Sequence, residues 1–560
     1  MVPNAAGDAR TDTRPAYHGR TYVRPEAYAA DTYTDYQGPV PIVTHLHGAM
    51  GVGDESDGYP EAWFLPDAAN IPADYARVGA WFRYHESSFA RRFGEQWGPG
   101  FSISQYPNHN RASTLWYHDH TLGMTRLNVY AGPAGFYILR GGPAGDDAVR
   151  DSATGGPAVF PGPAPREGDK GNKSYGEIPL AIQDRSFNAD GSLFYPDTRA
   201  FFDELAPPYI PASDVSPVWN PEFFGNTLIV NGSTWPYLDV EARRYRFRVL
   251  NGCQSRFLIL DFTTIPGVQV WQVCNDGGFL MAPVQITGAG CGHLLMAPGE
   301  RADLIVDFTA VPLGRHVLGN VGPDEPYGGG VPGTDFAVAD PHTTGRVMQF
   351  RVVAATTPDR TTLPANLILP ARPALPTHST VRRLALLEHM SSQPGHSPIA
   401  AMLGDVEGDP GLDWAVAKAR MWADPVTANP ALGATEVWEF YNATADAHPI
   451  HVHEVAFEVL DRQGIDVFEP TMTHAPAPGE HPAPRVRITP GSSPRPREPW
   501  ESAVKDTVIA YPGEVTRIKA RFLVPGRYVW HCHIVEHEDN EMMLPLHVGP
   551  IPTDAPDVRH

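Results

Sequence analysis

Four His-x-His pairs are the feature that most limits what this chain can fold into. They occupy positions 45/47, 118/120, 451/453 and 531/533, two pairs toward each end of the 560-residue chain and none in the middle. In a β-strand, residues i and i+2 point to the same face, so each pair can present two imidazoles to one site. One such pair would be an ordinary surface or core feature. Four pairs in this distribution predict a metal cluster shared by two β-rich regions.

The stretch Tyr528–Met543 adds a second kind of ligand. It holds Cys532, His537 five residues later and Met542 five residues after that. A thiolate, an imidazole and a distant thioether are three of the four ligands of a blue-copper site, which takes two histidines, one cysteine and a weak axial methionine. We expect His448 to be the fourth ligand, because it lies three residues before His451 and can face away from the 451/453 pair.

Cys532 stands between the two histidines of the last pair. Strand alternation places His531 and His533 on one face and Cys532 on the other. Consecutive Cα atoms are only about 3.8 Å apart. A copper held by Cys532 would therefore have a short covalent connection to a cluster held by the neighbouring histidines, and imidazole is a good ligand for copper.

Composition favours short strands joined by turns. The chain has 58 prolines and 53 glycines, which punctuate strands more often than helices. We predict an all-β chain of three sandwich domains, at 1–176, 177–360 and 361–560, with linkers at 141–176 and 356–376. Only Trp414–Trp422 resembles a helix, and Phe468–Trp500 resembles a long surface loop. The clearest predicted strands are Ile178–Ile182, Thr227–Val230, Tyr245–Leu250 and Ala302–Phe308.

The net charge limits the partners that the protein can bind, and the first residues bear on its cellular location. The net charge of −21 argues against nucleic acid and anionic membrane surfaces as partners, and no run of about 18 apolar residues predicts a membrane span. The first ten residues lack an export signal, which predicts a cytoplasmic protein. Export or association with a coat stays open if the true start lies upstream.

The four cysteines do not form a disulfide scaffold, and whether Cys253, Cys274 and Cys291 include a disulfide is left open.

These motifs resemble the multicopper oxidases. The resemblance rests on His-Leu-His-Gly at 45–48, Trp-Tyr-His-Asp-His at 116–120, His-Pro-Ile-His-Val-His at 448–453 and the stretch from His531 to Met543, and it runs from about residue 40 to 549. Within the family, the chain is similar to the branch of bacterial spore-coat laccases, bilirubin oxidases and phenoxazinone synthases. That similarity is carried by Ser56–Trp63, Asp190–Pro196, Leu228–Tyr237 and Trp422–Val426.

The resemblance implies three cupredoxin-like Greek-key β-sandwich domains and four copper ions, one type 1, one type 2 and a binuclear type 3 pair. A small reducing substrate would give up electrons one at a time at the edge of His537, and O₂ would be reduced to two waters. Glu538 and Asp57 match the family's proton-relay carboxylates. The implied ligands are His448, Cys532, His537 and Met542 for type 1, His45 and His451 for type 2, and His47, His118, His120, His453, His531 and His533 for type 3.

Three readings of function remain open at this level. The leading one is a laccase-like oxidase of phenols, aminophenols or bile-pigment-like compounds, and the others are a metallo-oxidase of cuprous or manganous ion and a non-catalytic copper-binding or coat protein.

Asn251–Arg256 and Phe468–Trp500 are candidate walls of the substrate pocket. Only 44 residues precede His45, fewer than is usual in the family, which predicts a truncated first domain with exposed strand edges. The sequence predicts no oligomeric state.

Overall fold

The computed structural model describes residues 39–556, except 68–70, 72–74, 167, 171–172, 197–198, 204–215, 217, 289–291, 392–397, 471–480 and 554. Cys291 therefore lies outside the described residues, and Cys253, Cys274 and Cys532 are free thiols. Strands predominate, and the prediction of an all-β protein is confirmed. The α-helices of the described residues are α1 (Asp54–Asp57), α2 (Phe82–Phe93), α3 (Thr125–Ala131) and α4 (Val535–Glu538).

None of the helices in these ranges has the length and apolar character needed to cross a membrane.

The N-terminal region carries its two histidine pairs on neighbouring strands. The sheet order is β1-β2-β3, all antiparallel, and His45 lies directly opposite His118. This register brings the first two pairs side by side. The strands are β1 (Thr44–His47), β2 (Thr114–Asp119), β3 (Ala134–Ile138) and the short β4 (Arg150–Asp151).

The middle region is a sandwich of two sheets around one apolar core. Its strands are β5 (Glu177–Phe187), β6 (Leu193–Phe194), β7 (Thr227–Val230), β8 (Ser233–Thr234), β9 (Tyr237–Glu241), β10 (Arg244–Asn251), β11 (Leu258–Asp261), β12 (Gln269–Asn275), β13 (Gly278–Gln285), β14 (His293–Met296), β15 (Arg301–Asp307), β16 (Gly314–Asn320) and β17 (Arg346–Val353). One sheet runs β13-β12-β15-β10-β5-β7-β8 with β6 on β5, and the other runs β14-β11-β16-β17-β9. Phe247, Leu304 and Phe350 pack between them. The four predicted strands lie in β5, β7, β10 and β15.

The two predicted linkers contact each other. The short strand β18 (Leu367–Ile368) pairs antiparallel with β4, with Leu367 opposite Asp151. The chain that leaves the N-terminal region is thus fastened to the chain that enters the C-terminal region.

The C-terminal region consists of a closed sheet and a smaller open one. Its strands are β19 (Thr380–His389), β20 (Ala400–Glu407), β21 (Ala415–Arg420), β22 (Thr435–Asn442), β23 (His448–Val452), β24 (Glu458–Phe468), β25 (Arg485–Ile488), β26 (Arg495–Pro496), β27 (Thr507–Ala510), β28 (Glu514–Arg521), β29 (Gly526–Cys532) and β30 (Met543–Val548). The order β25-β21-β20-β19-β22-β28-β24 closes because β25 also pairs with β24. The second sheet, β27-β23-β29-β30, carries the other two histidine pairs.

Two sequence predictions in this region are wrong. Trp414–Trp422 is not helical: it contains β21, whose alternate residues Ala415 and Ala417 are buried between neighbouring strands. Phe468–Trp500 is not one long loop, because β25 and β26 lie within it. Pairing that closes the sheet stabilises both segments as strands, a tertiary effect that local composition does not reveal.

Candidate metal centre

The four histidine pairs meet between the N-terminal and C-terminal regions. Strands β1 and β2 bring one half of the cluster, and β23 and β29 bring the other half. His451 lies opposite His531 in the second sheet, just as His45 lies opposite His118 in the first. The eight side chains are at most 2% exposed: His45, His47, His118, His120, His451, His453, His531 and His533.

The ring nitrogens sort into compact groups whose members lie within 4.8 Å of one another. The six histidines predicted for type 3 copper divide into the triads His47, His118 and His533, and His120, His453 and His531. The predicted type 2 pair, His45 and His451, falls together in a further group that also includes His47. His47 stacks on His451 at 3.7 Å between ring centroids, and His45 stacks on His453 at 3.8 Å.

Backbone carbonyls fix the tautomers of several rings. Because a carbonyl oxygen can only accept, each Nδ1 that contacts one carries the proton and leaves the lone pair on Nε2. The contacts are His45 to Asp57 at 2.6 Å, His118 to Asp119 at 2.8 Å, His451 to Asp506 at 2.7 Å and His531 to Cys532 at 3.0 Å.

The remaining ring atoms fit a bound metal. Nε2 of His45, His118 and His451 and both nitrogens of His533 are buried without a hydrogen-bond partner among the described residues. Buried polar atoms are nearly always paired, so a cluster of unpaired acceptors indicates a missing ligand. Burial also lowers the pKa of His45 to about 4 and that of His118 to about 3, which keeps both imidazoles neutral and able to donate a lone pair.

The two predicted relay carboxylates adjoin the cluster. Asp57, in α1, places Oδ2 2.7 Å from Nδ1 of His453, and burial raises its pKa to about 6. Glu538, in α4, lies between the two regions, with Oε1 3.6 Å from Nε2 of His120 and Oε2 3.3 Å from Nδ1 of His531. Neither carboxylate oxygen of Glu538 has a hydrogen-bond partner in the described part of the chain.

Asp506 is a site residue that the sequence did not indicate. Its carbonyl accepts from His451, and its carboxylate lies 3.0 Å from Nε2 of His47. Asp57 does the same for the other stacked pair, with its carbonyl on His45 and its carboxylate on His453. The two aspartates are therefore counterparts in the two halves of the cluster. No histidine or other motif adjoins Asp506 in the sequence, so nothing there marked it.

The second site surrounds Cys532. Its sulfur lies 3.6 Å from Nδ1 of His448 and 3.8 Å from Nδ1 of His537. Met542 is fully buried, and its backbone is tied to both neighbours: its N–H donates to His537, and its carbonyl accepts from Cys532. Thr444 holds Nε2 of His448 at 2.7 Å. One thiol and two imidazole nitrogens converging in this way form the donor set of a blue-copper site.

Carboxyl groups line the outer edge of His537. Oε1 of Glu222 lies 3.8 Å from Nε2 of His537, and Glu222 is only 3% exposed with Oε2 unpaired in the described structure. Burial raises the pKa of Glu222, and the charges of Asp446 and Glu388 add to this. Burial likewise raises the pKa of Glu388 to about 8, with Asp446 again contributing. Nothing in the sequence around Glu222 marks it as a site residue.

One of the two predicted pocket walls lies beside this edge. In the segment Asn251–Arg256, Gln254 and Ser255 donate to the carboxylate of Glu536, the residue before His537, at 3.1 and 2.7 Å. Residues 471–480 of the other predicted wall lie outside the described residues.

Known proteins resemble this chain in sequence and in fold. A family model described as multicopper oxidase matches residues 400–551. A laccase of Bacillus subtilis is 36% identical, over 91% of this chain and 80% of its own. The multicopper oxidase LPR1 of Arabidopsis thaliana is 31% identical, over 92% and 76%.

Solved structures agree on the fold. The multicopper oxidase McoA of Aquifex aeolicus has a TM-score of 0.58 at 23% identity, covering 92% of this chain and 85% of that chain. A Campylobacter jejuni enzyme described as a metallo-oxidase has a TM-score of 0.55 at 17% identity, covering 91% and 80%. The prediction of cupredoxin-like domains is thereby confirmed. With its histidine-rich centre and these relatives, the chain belongs to the multicopper oxidase family, as a laccase-like oxidase that uses four copper ions and O₂.

Proposed function

We propose that the predicted ligands hold copper in the groups that the structure brings together. His448, Cys532, His537 and Met542 would form the type 1 site, and His45 and His451 the type 2 site. The type 3 pair would take one triad each, His47, His118 and His533 for one ion and His120, His453 and His531 for the other. The observation that carries this assignment is that the eight buried imidazoles include two triads and a group containing both His45 and His451, each with its nitrogens within 4.8 Å of one another and several of them unpaired.

When bound, the copper ions accept single electrons from a reductant and reduce O₂ to water. The chain supplies the connection between the sites: Cys532 is bonded on both sides to a cluster histidine, and its carbonyl accepts from Nδ1 of His531 at 3.0 Å. Burial of Cys532 and of all the histidines excludes water from this connection. We propose that Glu538 and Asp57 hold protons beside the cluster, which is a usual role for positioned carboxylic acids.

The division into domains 1–176, 177–360 and 361–560 is part of the same proposal. It is supported by the separate sheets of the three regions and by the pairing of β4 with β18 between them. On this division the type 2 and type 3 sites lie at the junction of the first and third domains.

The carboxyl groups at His537 bear on the substrate class. A reductant that carries an amine or a positive charge would find Glu222 at the edge of His537, with Asp446 and Glu388 nearby. A cation beside Glu222 would favour its ionised form and so oppose the burial that raises its pKa, whereas the carboxylates of a bile pigment would not. We therefore favour aminophenols among the predicted substrates. A second candidate is oxidation of a divalent cation, and carboxylate oxygens suit manganous better than cuprous ion.

Oxygen uptake and metal analysis test the proposed function. The purified enzyme is expected to contain four copper ions per chain and to consume O₂ with an o-aminophenol faster than with a methoxyphenol or bilirubin. Manganous ion is assayed alongside. Full copper without O₂ uptake on any reductant would favour a non-catalytic copper protein.

Replacing Glu222 by glutamine is expected to lower kcat/KM for the aminophenol, or for manganous ion, about 10- to 100-fold, the worth of one hydrogen bond to a charged group. The reason is that glutamine keeps the shape of the side chain but cannot ionise beside a cationic substrate. A neutral methoxyphenol should react as before. The measurement is steady-state O₂ uptake with each reductant.

Glu454→Gln is the matched control. Glu454 is also buried, but its Oε1 accepts the backbone N–H groups of Leu523 and Val524, at 2.8 and 2.7 Å, and glutamine can accept both. Its selectivity should equal that of the unchanged enzyme. If Glu222→Gln slows the neutral phenol equally, the carboxyl serves His537 itself and not the charge of the substrate.

A further inference from the structure

The middle region has no histidine pair, yet one of its turns contacts the cluster. The turn Gly299–Arg301 leads into β15. Gly299 has φ +84°, and a Cβ at this position would lie 2.8 Å from Cδ2 of His533. Only glycine allows the backbone to approach the ring so closely in this conformation. The middle region therefore forms part of the wall behind one triad.

Arg301 extends this contact to the other two regions. It is 2% exposed, and its guanidinium donates to the carboxylate of Asp506 through two nitrogens, one of them at 2.8 Å. Its Nε donates to the carbonyl of Thr114 in β2 at 2.9 Å, and it also donates to the carbonyl of Gly299 at 2.8 Å. A planar fork held at all these points has one orientation.

The orientation of Asp506 decides which nitrogen of His47 is free. The carboxylate accepts from Nε2–H of His47 at 3.0 Å, and Nδ1 has no hydrogen-bond partner among the described residues. This is the reverse of His118 in the same triad, whose Nδ1 is held and whose Nε2 is unpaired. The ion pair also passes over Gly48, where a Cβ would lie 2.4 Å from Oδ2 of Asp506 and 2.7 Å from the Arg301 guanidinium.

We propose that Arg301 is a positioning residue for the type 3 site: acting through Asp506, it holds His47 in the tautomer that presents Nδ1 to the triad. This rests on the proposed ligand role of His47. Asp57, the counterpart of Asp506, pairs only with histidines among the described residues. Of the two aspartates, only Asp506 is oriented by an arginine among the described residues.

The test is Arg301→Lys in the copper-loaded enzyme. Lysine keeps the positive charge, but its single ammonium group cannot donate to both carboxylate oxygens of Asp506 and to the Thr114 carbonyl at the same time. Retention of cluster copper against a chelator is expected to weaken about 10- to 100-fold, as for other residues that orient a metal ligand. Copper content should fall below four per chain, and a new paramagnetic signal should report a type 3 ion that has lost its partner. Type 1 absorption should be unchanged. Asp506→Asn, which retains an acceptor oxygen but no charge, should show the same changes to a smaller degree.

Arg246→Lys is the matched control, because Arg246 forms an equally buried two-pronged pair with Asp303 at 2.6 to 3.0 Å, within the middle region. It should lose thermal stability and keep all of its copper. Wild-type copper retention and magnetic signals in both Arg301→Lys and Asp506→Asn, or equal copper loss in Arg246→Lys, would overturn the inference. Failure of the proposed function looks different, because the unchanged enzyme would then lack type 1 absorption or its four copper ions.

Discussion

Replacing Cys532 by serine is expected to remove the blue absorption and to reduce O₂ uptake at least about a thousandfold, equivalent to roughly 4 kcal/mol of barrier. A serine hydroxyl stays protonated and is a poor ligand for copper, so the donor set that surrounds Cys532 with His448 and His537 would lose its sulfur. The cluster histidines are untouched by the change. Copper analysis should therefore find about three ions per chain where the unchanged enzyme has four. Visible spectroscopy measures the loss of blue absorption, and O₂ uptake measures the loss of turnover.

Cys274→Ser provides the control. Cys274 is also a fully buried free thiol, but it lies in β12 of the middle region, packed with Phe279 and Leu280, and belongs to none of the groups of candidate metal ligands among the described residues. Its blue absorption and turnover should match those of the unchanged enzyme. Turnover that survives in Cys532→Ser would mean that electrons reach the cluster without passing through this residue.

The strands of the middle region could be predicted from sequence, because alternation of apolar residues in runs such as Tyr245–Leu250 is a local signal of burial on one face. The helix predicted at Trp414–Trp422 was wrong for an equally physical reason. Its alanines, lysine and arginine have high helix propensity, but the segment is held between β20 and β25, and these contacts decide its conformation. Propensity is worth tenths of a kcal/mol per residue, and burial against two neighbouring strands outweighs it.

The meeting of the eight paired histidines was predictable for a different reason. Each His-x-His motif combines a metal-binding residue type with the two-residue period of a strand. The sequence therefore indicates both where the two imidazoles lie and that they point to the same face of the strand. Their sorting into triads was not predictable, since it depends on how β1 and β2 face β23 and β29. The role of Asp506 could not be predicted from the sequence either, because Asp506 is 459 positions from His47 and 205 positions from Arg301. Residues that orient a ligand need no fixed spacing, and this is why they left no motif.

Replacing Glu538 by glutamine is expected to slow the O₂-dependent half of the reaction about 10²- to 10⁴-fold, the usual contribution of a positioned acid or base. Glutamine keeps the shape of the side chain but cannot release a proton to the cluster. Glu538 lies 3.6 Å from His120 and 3.3 Å from His531, on the cluster side of the chain. The anaerobic loss of blue colour on adding a reductant should therefore be unchanged, and only the return of colour on adding O₂ should be delayed. Rapid-mixing absorption spectroscopy measures both steps separately.

The same pair of measurements on Glu454→Gln distinguishes proton supply from a general effect of charge. Glu454 is a buried acid next to His453, but among the described residues its carboxylate accepts hydrogen bonds only from the backbone N–H groups of Leu523 and Val524. Removing its charge should leave both half-reactions at their original rates. If Glu454→Gln slows reoxidation as much as Glu538→Gln does, net charge near the cluster controls the rate. If Glu538→Gln is reoxidised at full speed, the proton must come from the other half of the cluster, where Asp57 holds His453 at 2.7 Å.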